Sequence, residues 1–414
     1  MAPWISETFD NLYIFAEADG ETMPAARLEA IGRQDSKFVY GKRWQERKGH
    51  PIDPVHLPVR GRPYASTPFA IPLILFDACP DGWGKEILQA AFPLHLFRTV
   101  DFLAAAGSDR TGALQTGFDP KDGPRSWLPS DMAMLPLPPA GIQNLADLMS
   151  AAAALEDGRP DPGHLQWLLR GSGDVGGARP KARIAKDGHG WIAKFAAKGD
   201  PFDDPRVEAM SLDLAAACGI DVPAHELIEV MNKAVLLVKR FDRSATGERH
   251  DYMSAASLVG QGPGVYWSEY TYADVAIAAR KAHFEPCEKE IFRRLLFYAF
   301  IHCTDDHLRN TAFIRTETWR LSPVFDVVPH RQERHATLVT RGASPHPDPR
   351  LLFQGFPSFK LERREALAIY DEIAAGMTRL PALLDAREVT SRDRRILCEL
   401  MPHAFDPPAV DPAI

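Results

Sequence analysis

Paired cysteines are missing from this chain. Its five, Cys79, Cys218, Cys287, Cys303 and Cys398, are odd in number and widely scattered, and none is spaced Cys-x-x-Cys. That argues against a disulfide framework or a cysteine-rich zinc site, and it fits a reducing cytoplasm. Long apolar runs are missing too. The longest, Phe69 to Phe76, contains Pro72 and falls far short of the roughly 20 residues that cross a bilayer. Glu7 and Asp10 stand where a signal peptide needs an apolar core. There is no excess of positive charge: 48 Lys and Arg against 55 Asp and Glu leave −7. The whole protein is therefore not expected to be a non-specific nucleic-acid binder, although a local basic patch is still allowed. The expectation is a cytoplasmic protein with no membrane segment. With 414 residues, 45% of them hydrophobic and 25% charged, it has the composition of a globular protein of two or three domains.

Along the chain, residues 1 to about 120 read as short strands and loops. Asn11–Phe15 and Phe69–Leu73 are strand candidates and Gly84–Ala91 a helix. Asp77, Asp81 and Glu86 are expected to be solvated loop and helix residues. Between Pro120 and Pro162 the composition shifts to Pro, Gly and Ala. Pro129, Pro136, Pro138 and Pro139 mark a linker, and an Ala-rich helix follows over Leu145–Leu155.

Next comes a Gly-rich stretch, Gly171 to Lys181, with Gly176, Gly177 and Ala178 just before Arg179-Pro180-Lys181. Successive backbone N–H groups in such a loop can form an anion-binding nest, and a flexible linker has the same composition. Gly-Lys-[Ser/Thr] does not follow, so this is not a Walker A loop. Two strands, Ala182–Lys186 and Trp191–Phe195, are joined by Asp187-Gly188-His189-Gly190, which is hairpin chemistry. Trp191, Ala193 and Phe195 share one face and Lys194 lies on the other. Lys194 is either an edge-strand solubilising residue or a phosphate ligand. A helix begins with Asp204 as N-cap and Pro205 at its first position, and Gly219 stops it. Glu208, in its first turns, either favours the helix dipole or reaches Lys194. A second hairpin runs from Leu227 to Met231, turns at Asn232-Lys233, and returns over Ala234–Phe241. Gly-rich loop, lysine hairpin, helix with Glu, second hairpin: this is the order of parts in a kinase small lobe, and it makes Lys239 to Arg243 the hinge segment.

Helices at Tyr272–Ala282 and Glu290–His302 lead into Thr304-Asp305-Asp306-His307-Leu308-Arg309-Asn310. Asp305 and Asn310 have the Asp-x-x-x-x-Asn spacing of a phosphotransferase catalytic loop, in which the carboxylate takes the acceptor's proton and the amide oxygen binds Mg²⁺. Alone the spacing is a weak signal. It gains weight because a further hairpin, Thr311–Arg315 with Thr318–Leu321, delivers Asp326 where a kinase places its second metal ligand. Two hard oxygen ligands suit Mg²⁺. Beyond these come a strand over Ala336–Thr340, a helix over Arg363–Met377 with Leu367, Tyr370, Ile373 and Met377 on one stripe, and a basic cluster, Arg387, Arg392, Arg394 and Arg395, read as a solvated face. A zinc site at His302, Cys303 and His307 lacks a suitably spaced fourth ligand.

The stretches Gly176-Gly177-Ala178-Arg179-Pro180-Lys181, Val238-Lys239-Arg240-Phe241-Asp242-Arg243, Thr304 to Asn310 and Leu321-Ser322-Pro323-Val324-Phe325-Asp326 resemble the HipA family, the kinase components of type II toxin–antitoxin modules. Upstream, Asp101 to Gly107 and Gly112-Ala113-Leu114-Gln115 also resemble its N-terminal region. The resemblance implies an α+β, two-lobed protein-kinase-like fold with an N-terminal α/β subdomain over 1–120, a small lobe over 121–245 and a helical large lobe over 246–414. It implies ATP- and Mg²⁺-dependent serine/threonine protein phosphorylation that causes growth arrest. Carried over by position, Asp305 is the catalytic base, and Asn310 and Asp326 are the metal ligands. Gly176, Gly177, Ala178, Lys181, Lys194, Glu208, Lys239, Phe241, Asp242 and His307 belong to the nucleotide site, with His307 as a structural hydrogen-bonder. The implied partners are a helix-turn-helix, HipB-like antitoxin, DNA only through that antitoxin, and a substrate such as an aminoacyl-tRNA synthetase.

One position departs from the family. A regulatory serine is expected seven residues before Lys181, and Asp174 stands there, with Ser172 two residues away. Aspartate carries one negative charge where phosphoserine carries about −1.5 to −2. Asp174 thus mimics the off state, or the switch has moved to Ser172, or it is absent, or Asp174 is a plain turn residue. The rival readings are a small-molecule phosphotransferase and a catalytically silent pseudokinase that binds an antitoxin–DNA complex.

Overall fold

The computed structural model describes residues 4–5, 8–18, 20–33, 35–65, 69–129, 140–173 and 176–410. Pro136, Pro138, Pro139 and Asp174 lie outside the described residues. The chain divides into two compact units: Met1–Lys198 with Asp242–Met253, and Gly199–Phe241 with Ser254–Ile414.

The first unit is built on strands β1 (Asn11–Ala18), β2 (Glu21–Ile31), β3 (Asp35–Tyr40) and β4 (Tyr64–Ala65), helices α1 (Gly82–Ala91) and α2 (Thr99–Ala105), and strand β5 (Gln115–Gly117). The sheet order is β4-β3-β2-β1-β5, with each neighbouring pair antiparallel. Pro24 sits inside β2 at the register shift opposite Ile14/Phe15, where a missing N–H does least harm to the ladder. The strand expected over Phe69–Leu73 does not form. Pro72 caps a short helix, Leu73–Phe76, instead, because its fixed φ suits a helix start and a short apolar run does not by itself distinguish strand from helix. Arg110, 1% exposed, donates to the carbonyls of Leu103 (2.9 Å) and Ala106 (2.6 Å) at the end of α2 and to Thr116 Oγ1 (2.7 Å) on β5.

Helices α3 (Leu145–Glu156) and α4 (Pro162–Gly171) lead to the hairpin of β6 (Lys181–Lys186) and β7 (His189–Phe195). Its turn is just Asp187-Gly188, both at positive φ (52° and 74°), the two-residue turn that matches strand twist. Trp191, Ala193 and Phe195 are buried and Lys194 is on the half-buried face, as the alternation requires.

The second unit begins with α5 (Asp204–Ala217). Its N-cap is Asp203, not Asp204: the Asp203 carboxylate accepts from Arg206 N at 3.3 Å, and Pro205 falls one place further in. Cys218 is the C-cap and Gly219 follows at φ +75°, the left-handed stop. Strands β8 (His225–Val230) and β9 (Lys233–Lys239) pair in a register that puts Met231-Asn232 in the turn, one residue earlier than Asn232-Lys233. Both turn residues are left-handed, at φ 50° and 58°. Helix α6 (Tyr272–Lys281), helix α7 (Glu288–Phe300), strands β10 (Ala312–Arg315) and β11 (Trp319–Leu321), helix α8 (Arg363–Met377) and helix α9 (Ser391–Leu400) follow, with shorter helices between and after them. Phe292, Phe297 and Phe300 of α7 are fully buried, Phe300 against Tyr370 of α8. Residues 336–340 are not a strand. The carbonyls of Leu338 and Val339 accept from Tyr272 N and Ala273 N at the start of α6 (both 3.0 Å), and a helix's orphan amides have taken the acceptors a ladder needs.

Arg387, Arg392 and Arg394 do not form a free basic face: each is ion-paired, with Asp213, Asp393 and Asp385 in turn. Asp213 on α5 also meets His225 Nε2 at 3.0 Å. Burial alone raises the Asp213 carboxyl, yet the hydrogen bonds from His225 and Arg387 outweigh it and hold the group at about 2. Burial likewise lowers His225, but Asp213 brings it net above its ordinary value. His225 therefore contributes stability in full below about pH 6.5 and loses it as pH rises through its raised folded value. Asp213 contributes above about pH 3.9 and loses it as pH falls toward 2. Thermal melts are expected to show stability falling from neutral into mildly alkaline pH, with that slope reduced in His225→Gln.

Among the described residues no helix is long and apolar enough to cross a membrane. Cys79, Cys218 and Cys287 are buried thiols, each pushed up to about 12 by burial.

Candidate active site

In the second unit, α7 ends at Phe300 and His302 turns the chain at φ +56°. The loop that follows is tied to residues 326–336 at several points. His302 Nδ1 meets the His330 carbonyl at 2.6 Å and His330 N donates to the His302 carbonyl at 2.9 Å. Burial lowers the His302 pKa, which keeps its ring neutral. Asp306, 2% exposed, accepts Ala336 N on Oδ1 at 2.8 Å, and Ala336 N also reaches the Thr304 carbonyl at 3.1 Å. Its other oxygen lies 3.0 Å from His335 Nδ1, close enough for an ion pair though off the line of a hydrogen bond. Tyr272 of α6 donates to the Asp306 carbonyl at 2.8 Å.

This frame presents Asp305, half-buried, between three partners. Asn310 Nδ2 donates to the Asp305 carbonyl at 2.9 Å, so the two ends of the motif are directly joined. Tyr266 donates to Asp305 Oδ1 at 2.8 Å, and His330 Nε2 lies 3.9 Å from Oδ2. Because the Asn310 nitrogen faces that carbonyl, its amide oxygen is the atom left for a cation, as a metal ligand requires. Buried Arg294 of α7 bonds Glu290 (2.9 Å) and the Ser322 carbonyl (2.8 Å). Ser322 N donates to Ala312 (2.9 Å), and Val324 N donates to Asp221 (2.9 Å). These bonds fix the segment that ends at Asp326, itself left-handed at φ +58°, a conformation a non-glycine residue holds only where its surroundings enforce it. The Phe325 ring packs 5.6 Å from that of Phe241, linking the hinge segment to the residue beside Asp326. Lys239 N continues the β8–β9 pairing to Ala224 O at 2.8 Å. Glu208 is 2% exposed on α5. His307 gives its carbonyl to Asn310 N (2.8 Å), and among the described residues its buried Nδ1 has no hydrogen-bond partner. Among the described residues no cluster of three or more His, Cys, Asp or Glu is set to hold a metal by itself.

In the first unit, Lys181 and Lys194 stand directly opposite on β6 and β7, with Arg183 on the same face. Lys181 is 7% exposed. Like charges opposed across a ladder repel, and Arg183 on that face has Asp109 at 3.0 Å. Gly177 is left-handed (φ +87°), and a Cβ there would stand 2.4 Å from Lys181 Nζ, so a side chain would collide with the lysine. Sequence reasoning placed Asp81 in solvent, and the structure corrects this. Its carboxylate accepts Gly177 N–H while Trp83 N donates to the Gly177 carbonyl at 2.8 Å. The start of α1 thus clasps the Gly-rich loop from both sides. Only the Asp-Gly pair at a helix start hinted at it. Asp81→Ala is expected to release about 1.5 kcal/mol of charge-assisted hydrogen bonding, and so to speed amide exchange at Gly177 by on the order of tenfold. Ser172 is fully buried, and among the described residues its hydroxyl has no hydrogen-bond partner. Asp242 is a tie within this unit: its carboxylate accepts from Gly112 N (2.8 Å) and Arg243 (2.9 Å).

Residues 173–380 match the HipA-like C-terminal domain and residues 19–117 the HipA N-terminal domain. No curated protein sequence matches the chain. Among solved structures, HipA of Shewanella oneidensis MR-1, in a complex with HipB and operator DNA, is similar at a TM-score of 0.64 and 16% identity, covering 95% of this chain and 96% of that one. The Helicobacter pylori proinflammatory kinase CtkA gives a TM-score of 0.43 at 16% identity, over 56% of this chain and 89% of that one. The chain has a kinase-like fold with an N-terminal subdomain, and with one domain match covering half its length and a second covering about half of the rest, it belongs to the HipA family.

Proposed function

We propose that the chain is an ATP- and Mg²⁺-dependent serine/threonine protein kinase, the toxin of a toxin–antitoxin pair. The observation that carries this is Asp305, a carboxylate held by Asn310 at its backbone and by Tyr266 and His330 at its oxygens. Asp305 orients an acceptor hydroxyl and takes its proton. Asn310 and Asp326 would hold Mg²⁺, which when bound would neutralise charge on the phosphates. Lys194 and Lys181, with the amides of Gly176, Gly177 and Ala178, stabilise negative charge on the transferred group, mainly by positioning and electrostatics, and Glu208 is assigned to the same nucleotide site. Lys239 to Asp242 form the adenine-side segment, and His307 supports the catalytic loop.

By role, the chain divides into an N-terminal subdomain to about 120, a small lobe over 121–245 and a large lobe over 246–414. A cytoplasmic setting, a helix-turn-helix antitoxin through which DNA is reached, and a translation-related substrate such as an aminoacyl-tRNA synthetase complete the reading. The Shewanella complex with HipB and operator DNA supports the antitoxin. Regulation is assigned to the loop holding Ser172 and Asp174. With its hydroxyl buried, Ser172 becomes a phosphate acceptor only when the loop moves.

Radiolabelled ATP added to a cell lysate with the purified chain tests the reading. Label on a discrete protein, absent with Asp305→Asn, is the expected result; no transfer to any protein, the chain included, overturns it.

A further inference from the structure

Tyr266 lies in the exposed loop between Gln261 and Thr271, in the run Gly262-Pro263-Gly264-Val265-Tyr266. Its hydroxyl is 2.8 Å from Asp305 Oδ1 and 3.1 Å from Gln332 Oε1. One hydroxyl has one proton, and it goes to the carboxylate, the stronger acceptor; with its amide turned, Gln332 donates to the phenol oxygen. The ring is set edge-on to His307 (6.1 Å) and to Trp267 (4.9 Å), and Trp267 is itself covered by Arg334 at 4.7 Å. The phenol is therefore held in place, and its rigid ring carries the hydroxyl to the base from an exposed loop. A general base needs the hydroxyl it serves within about 2.6–3.2 Å. Tyr266 meets that requirement in the chain itself.

We propose that Tyr266 is a phosphorylation site of the chain's own kinase activity, a tyrosyl acceptor in addition to the serine and threonine hydroxyls of the proposed reaction, its hydroxyl resting on Asp305 in the position an acceptor hydroxyl must take. The inference rests on the kinase reading above. In the step, Tyr266 Oη bonds to the γ-phosphorus of a nucleoside triphosphate as the bond from that phosphorus to the β,γ-bridging oxygen breaks. The phenolic proton passes to Asp305 Oδ1, and the electron pair of the broken bond leaves with the nucleoside diphosphate. Burial, then the adjacent Asp305, raises the phenol's pKa, so the proton stays on until the base removes it. The product carries about −1.5 to −2 charge beside a carboxylate. Repulsion then drives the loop off Asp305 and clears the base for an external acceptor.

Two measurements test this. In the nucleotide-free full chain, tetranitromethane, which attacks phenolates, is mapped by mass spectrometry: Tyr266 should be nitrated more slowly in the wild type than in Asp305→Ala. Equal rates would mean that the hydroxyl does not rest on the base, and would overturn the proposal. The full chain is also incubated with ATP and Mg²⁺, digested and sequenced by mass spectrometry. One phosphoryl group on Tyr266, lost in Asp305→Asn, is the expected result. Phosphate on other residues or on lysate proteins but never on Tyr266 overturns the proposal and leaves the kinase reading standing. No transfer to any acceptor overturns both.

Discussion

Asp305→Asn is expected to lower phosphoryl transfer by about 10²- to 10⁴-fold, the usual worth of a positioned general base. The substitution removes proton-accepting power and little else. An asparagine oxygen can still accept the Tyr266 hydroxyl that now meets Oδ1 at 2.8 Å, and the backbone carbonyl still accepts Asn310 Nδ2. The loop should therefore keep its shape, and thermal melts of the two proteins should agree within about 1 kcal/mol. Nucleotide affinity should hardly change, because Asp305 is assigned neither to phosphate nor to metal. The loss should fall on kcat at saturating acceptor, and single-turnover transfer is the measurement that isolates it. A variant retaining more than a tenth of wild-type transfer would move the base elsewhere. Asn310→Ala should behave differently: it removes both a proposed Mg²⁺ ligand and the donor to the Asp305 carbonyl, so affinity and turnover should fall together.

What could be read in the sequence was whatever carries a local signal. Asp-Gly punctuates the β6–β7 hairpin, alternation puts Lys194 opposite Trp191, and the α7 period runs to the catalytic loop; each depends on neighbours within a few residues. Where two local signals competed, one was misread. Pro72 turned an apolar run into a helix start, and the β-branched Thr337, Val339 and Thr340 lost their ladder to the amides that open α6. Cap and turn positions slipped by one residue at Asp203, where two aspartates stand side by side, and at Met231, where Asn232 suits either place in the turn. The site showed a different limit. Asp305, Asn310 and Asp326, the residues proposed for the site, stand out by spacing, but the groups that hold them do not. Asp81 clasps a loop 96 residues away, and Tyr266 reaches Asp305 across 39. Neither belongs to a periodic pattern, and nothing in a linear chain marks which solvated-looking side chain will find a distant partner.

Asp306→Ala is expected to cost about 2–4 kcal/mol of stability, the loss of a buried charge-assisted hydrogen bond together with the cavity left behind. In the sequence Asp306 is merely the second of two aspartates, and Asp305 draws the attention. In the structure the burdens are reversed. The Asp306 side chain is fully buried and that of His335 is 2% exposed, with 3.0 Å between them. Its Oδ1 also accepts Ala336 N, which lies in the segment continuing from Asp326. Alanine would leave the His335 ring without its carboxylate, remove one of the two acceptors of the Ala336 amide, and open a cavity beneath the catalytic loop. Asp306→Asn keeps an oxygen for the amide and fills the space, so it should lose markedly less. Denaturant unfolding of the three proteins separates these cases, provided the m-values agree. If alanine and asparagine destabilise equally, the charge facing His335 is what matters; if alanine is far worse, the Ala336 hydrogen bond and packing dominate. A loss below about 1 kcal/mol for alanine, the range of surface changes, would mean that Asp306 does not fasten the catalytic loop to the segment beyond Asp326.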